Sequence, residues 1–142
     1  MKIVAVEKAE TWILEGLNAL LGQLSESTSY LSIHELEEIV ASDCVTLLTA
    51  LEEDHVAGGL ALVIFRIPTG IRARIEDVVV DTGARGKGIG ERLVRQAIML
   101  AKQWGADGVD LTSNPARTAA NSLYRKIGFL TRKTNTYRYI IR

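Results

Sequence analysis

Ile75-Glu76-Asp77-Val78-Val79-Val80-Asp81-Thr82-Gly83-Ala84-Arg85-Gly86-Lys87-Gly88-Ile89-Gly90 is the stretch from which the rest of the chain is read. Val78, Val79 and Val80 form a strand-like apolar run. The loop after it holds Gly83, Gly86, Gly88 and Gly90, and a helical pattern begins at once, with Ile89, Leu93, Ala97, Leu100, Ala101 and Trp104 on one face and Gly105 as its stop. Glycines let the backbone take positive φ and aim several N–H groups at one point, and a helix start adds unpaired donors and the positive end of its dipole. Arg85 and Lys87 bring fixed positive charge, so the loop has the makings of an anion site; a tight strand-to-helix turn rich in glycine for steric reasons alone is the alternative, which the loop's position and its two cations weigh against.

Two familiar phosphate loops fail here. The dinucleotide pattern G-x-G-x-x-G, begun at Gly88 and Gly90, meets Leu93 where the third glycine belongs. The P-loop pattern would need a glycine at Asp81 and a hydroxyl at Gly88. What fits is R-x-x-G-x-G, as Arg85, Gly88 and Gly90, between a strand and a helix. This resembles the acetyl-CoA pyrophosphate loop of the GNAT superfamily of N-acetyltransferases.

Working outward, Lys2 to Glu7 reads as a strand, and Ala9 to Leu24 as a helix whose buried face carries Trp12, Ile13, Leu17, Leu20, Leu21 and Leu24. Ser25 to Tyr30 is a polar loop. Ser32 and Glu35 form a capping box for a second short helix with an acidic wet face, and His34 and His55 read as surface residues. Cys44 to Leu51 and Val56 to Ile67 are strands joined by an acidic turn, with Gly58-Gly59 marking a bulge or a close backbone approach. Arg72 to Val80 is the fourth strand. With Gly108 to Thr112, the long helix completes a right-handed crossover between parallel strands. Arg117 to Ile127 is a helix closed by Gly128, and Phe129 to Lys133 with Tyr137 to Ile141 read as a last hairpin around Asn135. The expected fold is α/β (α+β), a single domain over residues 1–142. It has a mixed, mostly antiparallel sheet of about seven strands and four helices, in the element order of the resembled superfamily.

A second motif supports the resemblance. Asn121, Tyr124, Gly128 and Phe129 fall into the spacing typical of that superfamily's penultimate helix. The resemblance implies that Val78, Val79, Val80, Arg85, Gly86, Lys87, Gly88, Ile89, Gly90, Asn114 and Asn121 contact acetyl-CoA, and that Tyr124 sits beside the thioester sulfur. It also implies that fourth-strand N–H groups near Val78 to Val80 bond the acetyl carbonyl, where a bulge splays that strand from the fifth. A phenol with a pKa near ~10 is protonated at neutral pH and suits the general acid for the departing thiolate. Taken alone, Tyr124 reads first as an amphipathic core residue with its hydroxyl at the rim; within the motif the general-acid reading takes precedence. For the base, neighbours on a strand point to opposite faces, so only one of Glu76 and Asp77 faces a given cleft. Glu76 is preferred by resemblance, with Asp77 as substitute and an ion pair of Glu76 with Arg72 or Arg74 as the structural alternative.

Composition narrows the remaining choices. The 142 residues are 47% hydrophobic, enough for one core, and 17 Lys plus Arg balance 17 Asp plus Glu, which gives no ground for a nucleic-acid surface. Cys44 is the single cysteine, so no intrachain disulfide or cysteine metal cluster forms, and no metal is expected; in its apolar run it reads as a buried small residue. The longest apolar run, Leu60 to Phe65, falls far short of the ~20 residues of a membrane span. A cytoplasmic protein without a membrane partner is expected. The leading functional expectation is direct transfer of acetyl from acetyl-CoA to a primary amine, on a small molecule or a peptide, in a ternary complex. No nucleophile for a covalent acetyl-enzyme is evident, since Cys44 lies outside both motifs. The alternative is a non-catalytic acyl-CoA-binding regulatory module. A homodimer through the last strands is expected by analogy alone.

Overall fold

The computed structural model describes residues 1–25 and 29–142, so most of the loop expected at Ser25 to Tyr30, Glu26 included, lies outside the described residues. In chain order the elements are β1 (Lys2–Ala5), α1 (Thr11–Leu24), α2 (Ile33–Ala41), β2 (Val45–Glu52), β3 (His55–Ile67), β4 (Gly70–Val80), a 3-10 turn (Thr82–Ala84), α3 (Ile89–Gln103), β5 (Val109–Asp110) and α4 (Thr118–Ile127). The chain divides into two units, Met1–Thr112 and Ser113–Arg142, and each is described by itself.

In the first unit the strands form one five-stranded sheet in the order β1-β2-β3-β4-β5. The first three pairings are antiparallel, and β4 pairs β5 in parallel at Ala73↔Val109 and Arg74↔Asp110 only. The crossover therefore forms as expected. Because β5 stops at Asp110, β4 runs on from Ile75 to Val80 without it.

Two irregularities shape the sheet. Between β2 and β3 the register passes from Ala50↔Gly58 to Leu51↔Val56, so Ala57 is an extra residue in β3. Between β3 and β4 it passes from Gly59↔Val79 to Ala61↔Glu76, which sets Asp77 and Val78 opposite Leu60 alone. That is a bulge in the fourth strand, and Asp77 takes φ 55° within it.

Helices cover both faces. Leu48, Leu60, Leu62 and Ile75 are at most 2% exposed, as are Ile89, Leu93, Val94 and Ala97 of α3, the helix that packs on β2, β3 and β4. Gly58 makes the close approach possible: a Cβ there would lie 3.2 Å from both Ile89 and Leu93 and 3.1 Å from the Val79 carbonyl oxygen. A second cluster joins Ile13, Leu17 and Leu20 of α1 to Leu36 of α2, Val56 and Val79. Gly16 lets α1 settle there, since a Cβ would meet Val56 Cγ2 at 2.5 Å. The α2 capping box closes as the sequence predicts, with Glu35 N–H donating to Ser32 Oγ (3.1 Å) and Ser32 N–H to Glu35 Oε1 (2.9 Å).

Three expectations need correction. The sheet has five strands rather than about seven, because residues 129–142 adopt no strand. Tyr137, Tyr139 and Ile141 do alternate as a strand would, but they stand 86%, 91% and 90% exposed, so no buried face offsets the cost of ordering a hairpin. Trp12 is 39% exposed, its indole N–H donating to Glu10, because it precedes the buried stripe of α1. Cys44 is exposed, one residue ahead of β2, with its N–H on Ser42 Oγ. Among the described residues no helix is long and apolar enough to cross a membrane.

Candidate functional site

The bend after β4 is built from backbone conformation and held by its neighbours. Asp81 N–H donates to the Ala57 carbonyl at 2.8 Å, ending the ladder with β3. Alternation along the strand then turns Val80 away from β3, and its carbonyl accepts Arg85 Nε at 3.3 Å. After the 3-10 turn, Gly86 and Gly88 take φ 84° and 76°, and a Cβ on either would meet nothing within 4 Å. Glycine is required there for the left-handed backbone, not for space. The first intrahelical bond of α3 runs from Arg92 N–H to the Gly88 carbonyl (3.1 Å), so the Ile89 and Gly90 amides precede the helical ladder at its positive end.

Charges around the bend are also arranged. Asp81 would repel an anion, but Gln23 Nε2 donates to its Oδ1 at 2.9 Å and His55 Nε2 lies 3.0 Å from its Oδ2. The Gln23 and then the His55 hydrogen bond hold the Asp81 carboxyl below its ordinary pKa, with a smaller contribution from the Gly83 backbone, so it is ionised with its charge shared among these donors. Gln23 Oε1 in turn accepts from Thr82 N–H (2.9 Å) and Oγ1 (2.8 Å). Lys87 Nζ lies 3.8 Å from Glu52 Oε2 on the exposed rim. Sequence reasoning missed Gln23 and Asp81 as supports of this loop and left His55 as a turn residue. Their separations of 58 and 26 positions leave no local signal.

On the face of the sheet toward α1 and α2 lies a cavity of about 250 Å³, lined by Leu17, Leu20, Leu31, Ile39, Leu47 and Val63 among others. Asp77 is its one lining residue with a polar side chain among the described residues. Glu76 opposes Ala61, which also lines the cavity, so Glu76 belongs to the same face. Alternation predicted that only one of the two carboxylates could face a cleft; the bulge, with Asp77 left-handed, brings both to one side. Glu76 Oε1 accepts Arg74 Nε at 3.2 Å, the ion pair foreseen as the alternative to a catalytic role. Asp77 is exposed at the cavity mouth beside apolar side chains, and partial desolvation, then the Glu76 charge, raises its carboxyl above the ordinary value.

The second unit holds the other predicted residues. Asn114 Oδ1 accepts Ala116 N–H at 2.9 Å, while its carbonyl accepts Arg117 N–H and Asn121 Nδ2, each at 3.0 Å. Asn121 thus fastens the turn that starts α4. Tyr124 is 5% exposed, with its ring edge-on to Phe129 at 5.8 Å. Gly128 at φ 122° ends the helix, and Gly128 and Phe129 N–H both return to the Tyr124 carbonyl. Burial raises the Tyr124 phenol above its ordinary pKa against a lowering by Arg117, so the hydroxyl stays protonated at neutral pH.

The chain is 34% identical over 133 residues to a probable glucosamine 6-phosphate N-acetyltransferase of Oryza sativa subsp. japonica, covering 82% of this chain and 75% of the relative. A putative acetyltransferase from Agrobacterium tumefaciens superposes with TM-score 0.88 at 25% identity over 99% of this chain and all of the other. An aminoglycoside acetyltransferase from an uncultured soil metagenomic sample, crystallised with sisomicin, shares the fold at TM-score 0.88 and 18% identity, over 99% and 96% of the two chains. The profile of the acetyltransferase (GNAT) family matches residues 12–129, across the bend, the bulged strand and the tyrosine helix, and the chain belongs to that family of enzymes.

Proposed function

We propose that this chain is an acetyl-CoA-dependent N-acetyltransferase that passes the acetyl group to a primary amine by direct attack in a ternary complex. The observation that carries the reading is the bend at Arg85 to Gly90, where two left-handed glycines and the opening amides of α3 stand beside two cations. That donor set suits a diphosphate. Arg85, Gly86, Lys87, Gly88, Ile89 and Gly90 hold it. Main-chain groups of Val78 to Val80 orient the acyl arm, and Asn114 and Asn121 are further contacts of the coenzyme that the family resemblance implies.

In the transfer, the amine loses a proton to the carboxylate pair Glu76 and Asp77, directly or through water. Its lone pair forms the C–N bond, the C–S bond breaks, and the second proton leaves the nitrogen for solvent, from which the Tyr124 hydroxyl is restored. Val78 to Val80 stabilise the growing charge on the acetyl oxygen, a contribution that counts most in the transition state. Tyr124 donates its proton to the departing thiolate. Amino sugars such as glucosamine 6-phosphate, and aminoglycosides, are acceptors suggested by the relatives' names.

The test is thiol release from acetyl-CoA with a panel of amines. Turnover that falls about 10²-fold in Tyr124→Phe with acetyl-CoA binding retained supports the reading. Acetyl-CoA that stabilises the chain while no amine is ever consumed would favour the non-catalytic module instead.

A further inference from the structure

From the cavity beside the bulge we infer the class of acceptor: a primary amine carried on an apolar alkyl or aryl-alkyl body, with its ammonium at Asp77 and its body between α1, α2 and the sheet. This inference rests on the acetyltransferase reading and narrows it.

Three observations lead there. The cavity, about 250 Å³, is lined by aliphatic side chains of α1, α2, β2, β3 and β4, with Asp77 alone polar among the described residues. The Asp77 carboxylate makes no hydrogen bond or ion pair among the described residues, whereas Glu76 next to it is engaged by Arg74. A carboxylate at the mouth of an apolar chamber is complementary to a ligand with one positive end and a hydrocarbon remainder. Val79 lines the same chamber, so an ammonium at Asp77 is held within two residues of the β4 segment assigned to the thioester.

The lining also argues against a sugar. A polyhydroxylated acceptor would bury several hydroxyls against leucine and valine, and each one without a partner costs roughly tenfold in affinity. A phosphate would find no cation in the lining, where Asp77 is the only charged residue among those described. The chamber exists because of sequence: Gly59 and Ala61 leave the β3 floor low, and the left-handed Asp77 swings its carboxyl onto this face.

The experiment measures kcat/KM for thiol release by the full chain with acetyl-CoA, using n-alkylamines from propyl to octyl, phenethylamine and glucosamine 6-phosphate. It should rise about fourfold per added methylene and level off once the chamber is full. Ala61→Leu, which fills the chamber, should lower the value for the longest amines tenfold or more and leave the KM for acetyl-CoA unchanged. Val63→Ala, which enlarges it, should move the plateau to longer chains and serves if the first variant fails to fold. Asp77→Asn should raise amine KM tenfold or more without changing that of acetyl-CoA. A flat alkyl series, preference for glucosamine 6-phosphate, or a plateau unmoved in both chamber variants overturns the inference while the acetyltransferase reading stands. Failure of every amine to release thiol, with no binding of acetyl-CoA, overturns both.

Discussion

The two faces of the sheet are finished differently. Toward α3, Ile89, Leu93, Val94 and Ala97 are buried against the sheet, and Gly58 is the position at which α3 comes close to the strand backbone. Toward α1 and α2, Gly16 and Val56 make an equally close contact at one end, yet the other end opens into the cavity at Asp77. Packing is near crystal density in most interiors, so an apolar chamber kept open beside a carboxylate is a feature to be explained by use. Strand β4 belongs to both: Ile75 packs on the closed face, and Asp77 and Val79 border the open one. The difference teaches that one bulge lets a single strand serve as core and as site wall.

Core truncation is the harshest way to break this comparison. Leu93→Ala, fully buried on the closed face, should cost about 3 kcal/mol in chemical denaturation, because the lost contacts leave a void that neighbours cannot fill. The same truncation at Leu47, a partly buried wall of the chamber, should cost about 1 kcal/mol, since its neighbours already face open space. Equal costs at the two sites would remove the distinction between the faces.

A smaller effect sharpens it through pH. The folded-state pKa of Asp77 is raised, so its favourable contribution is complete below the unfolded carboxyl pKa, near ~3.9, and is lost as pH rises through the folded value. At neutral pH the ionised carboxylate is therefore a liability of the fold. Asp77→Asn should be more stable than the parent at pH 7, with the advantage shrinking toward pH 4 in paired denaturation curves. The variant would thus gain stability while losing hold of an amine. A parent more stable than the variant at pH 7 would contradict the raised pKa.

How far the sequence could be read follows from the range of each interaction. The bend was legible because its glycines, cations and helix start are neighbours in the chain, and the capping box at Ser32 and Glu35 spans only three residues. A bulge in the fourth strand was expected, but not its position, since Asp77 has no glycine to mark it; aspartate tolerates the left-handed region well enough to occupy it. That one residue overturned the alternation argument that separated Glu76 from Asp77. The last hairpin failed for the opposite reason: alternation around Tyr137 and Tyr139 is a local pattern, whereas a strand requires a partner edge that no local pattern supplies. The ties from Gln23 and His55 to Asp81 join distant parts of the chain and could be found only in the folded molecule.

The central claim concerns the grip of the bend on the coenzyme, and titration with acetyl-CoA followed by backbone amide resonances tests it most directly. The account predicts the largest shifts at Gly86, Gly88, Ile89 and Gly90, with affinity reduced tenfold or more in Gly88→Ala, whose side chain is disfavoured at φ 76°. Largest shifts elsewhere in the chain, with the amides of the bend unmoved at saturation, would contradict it.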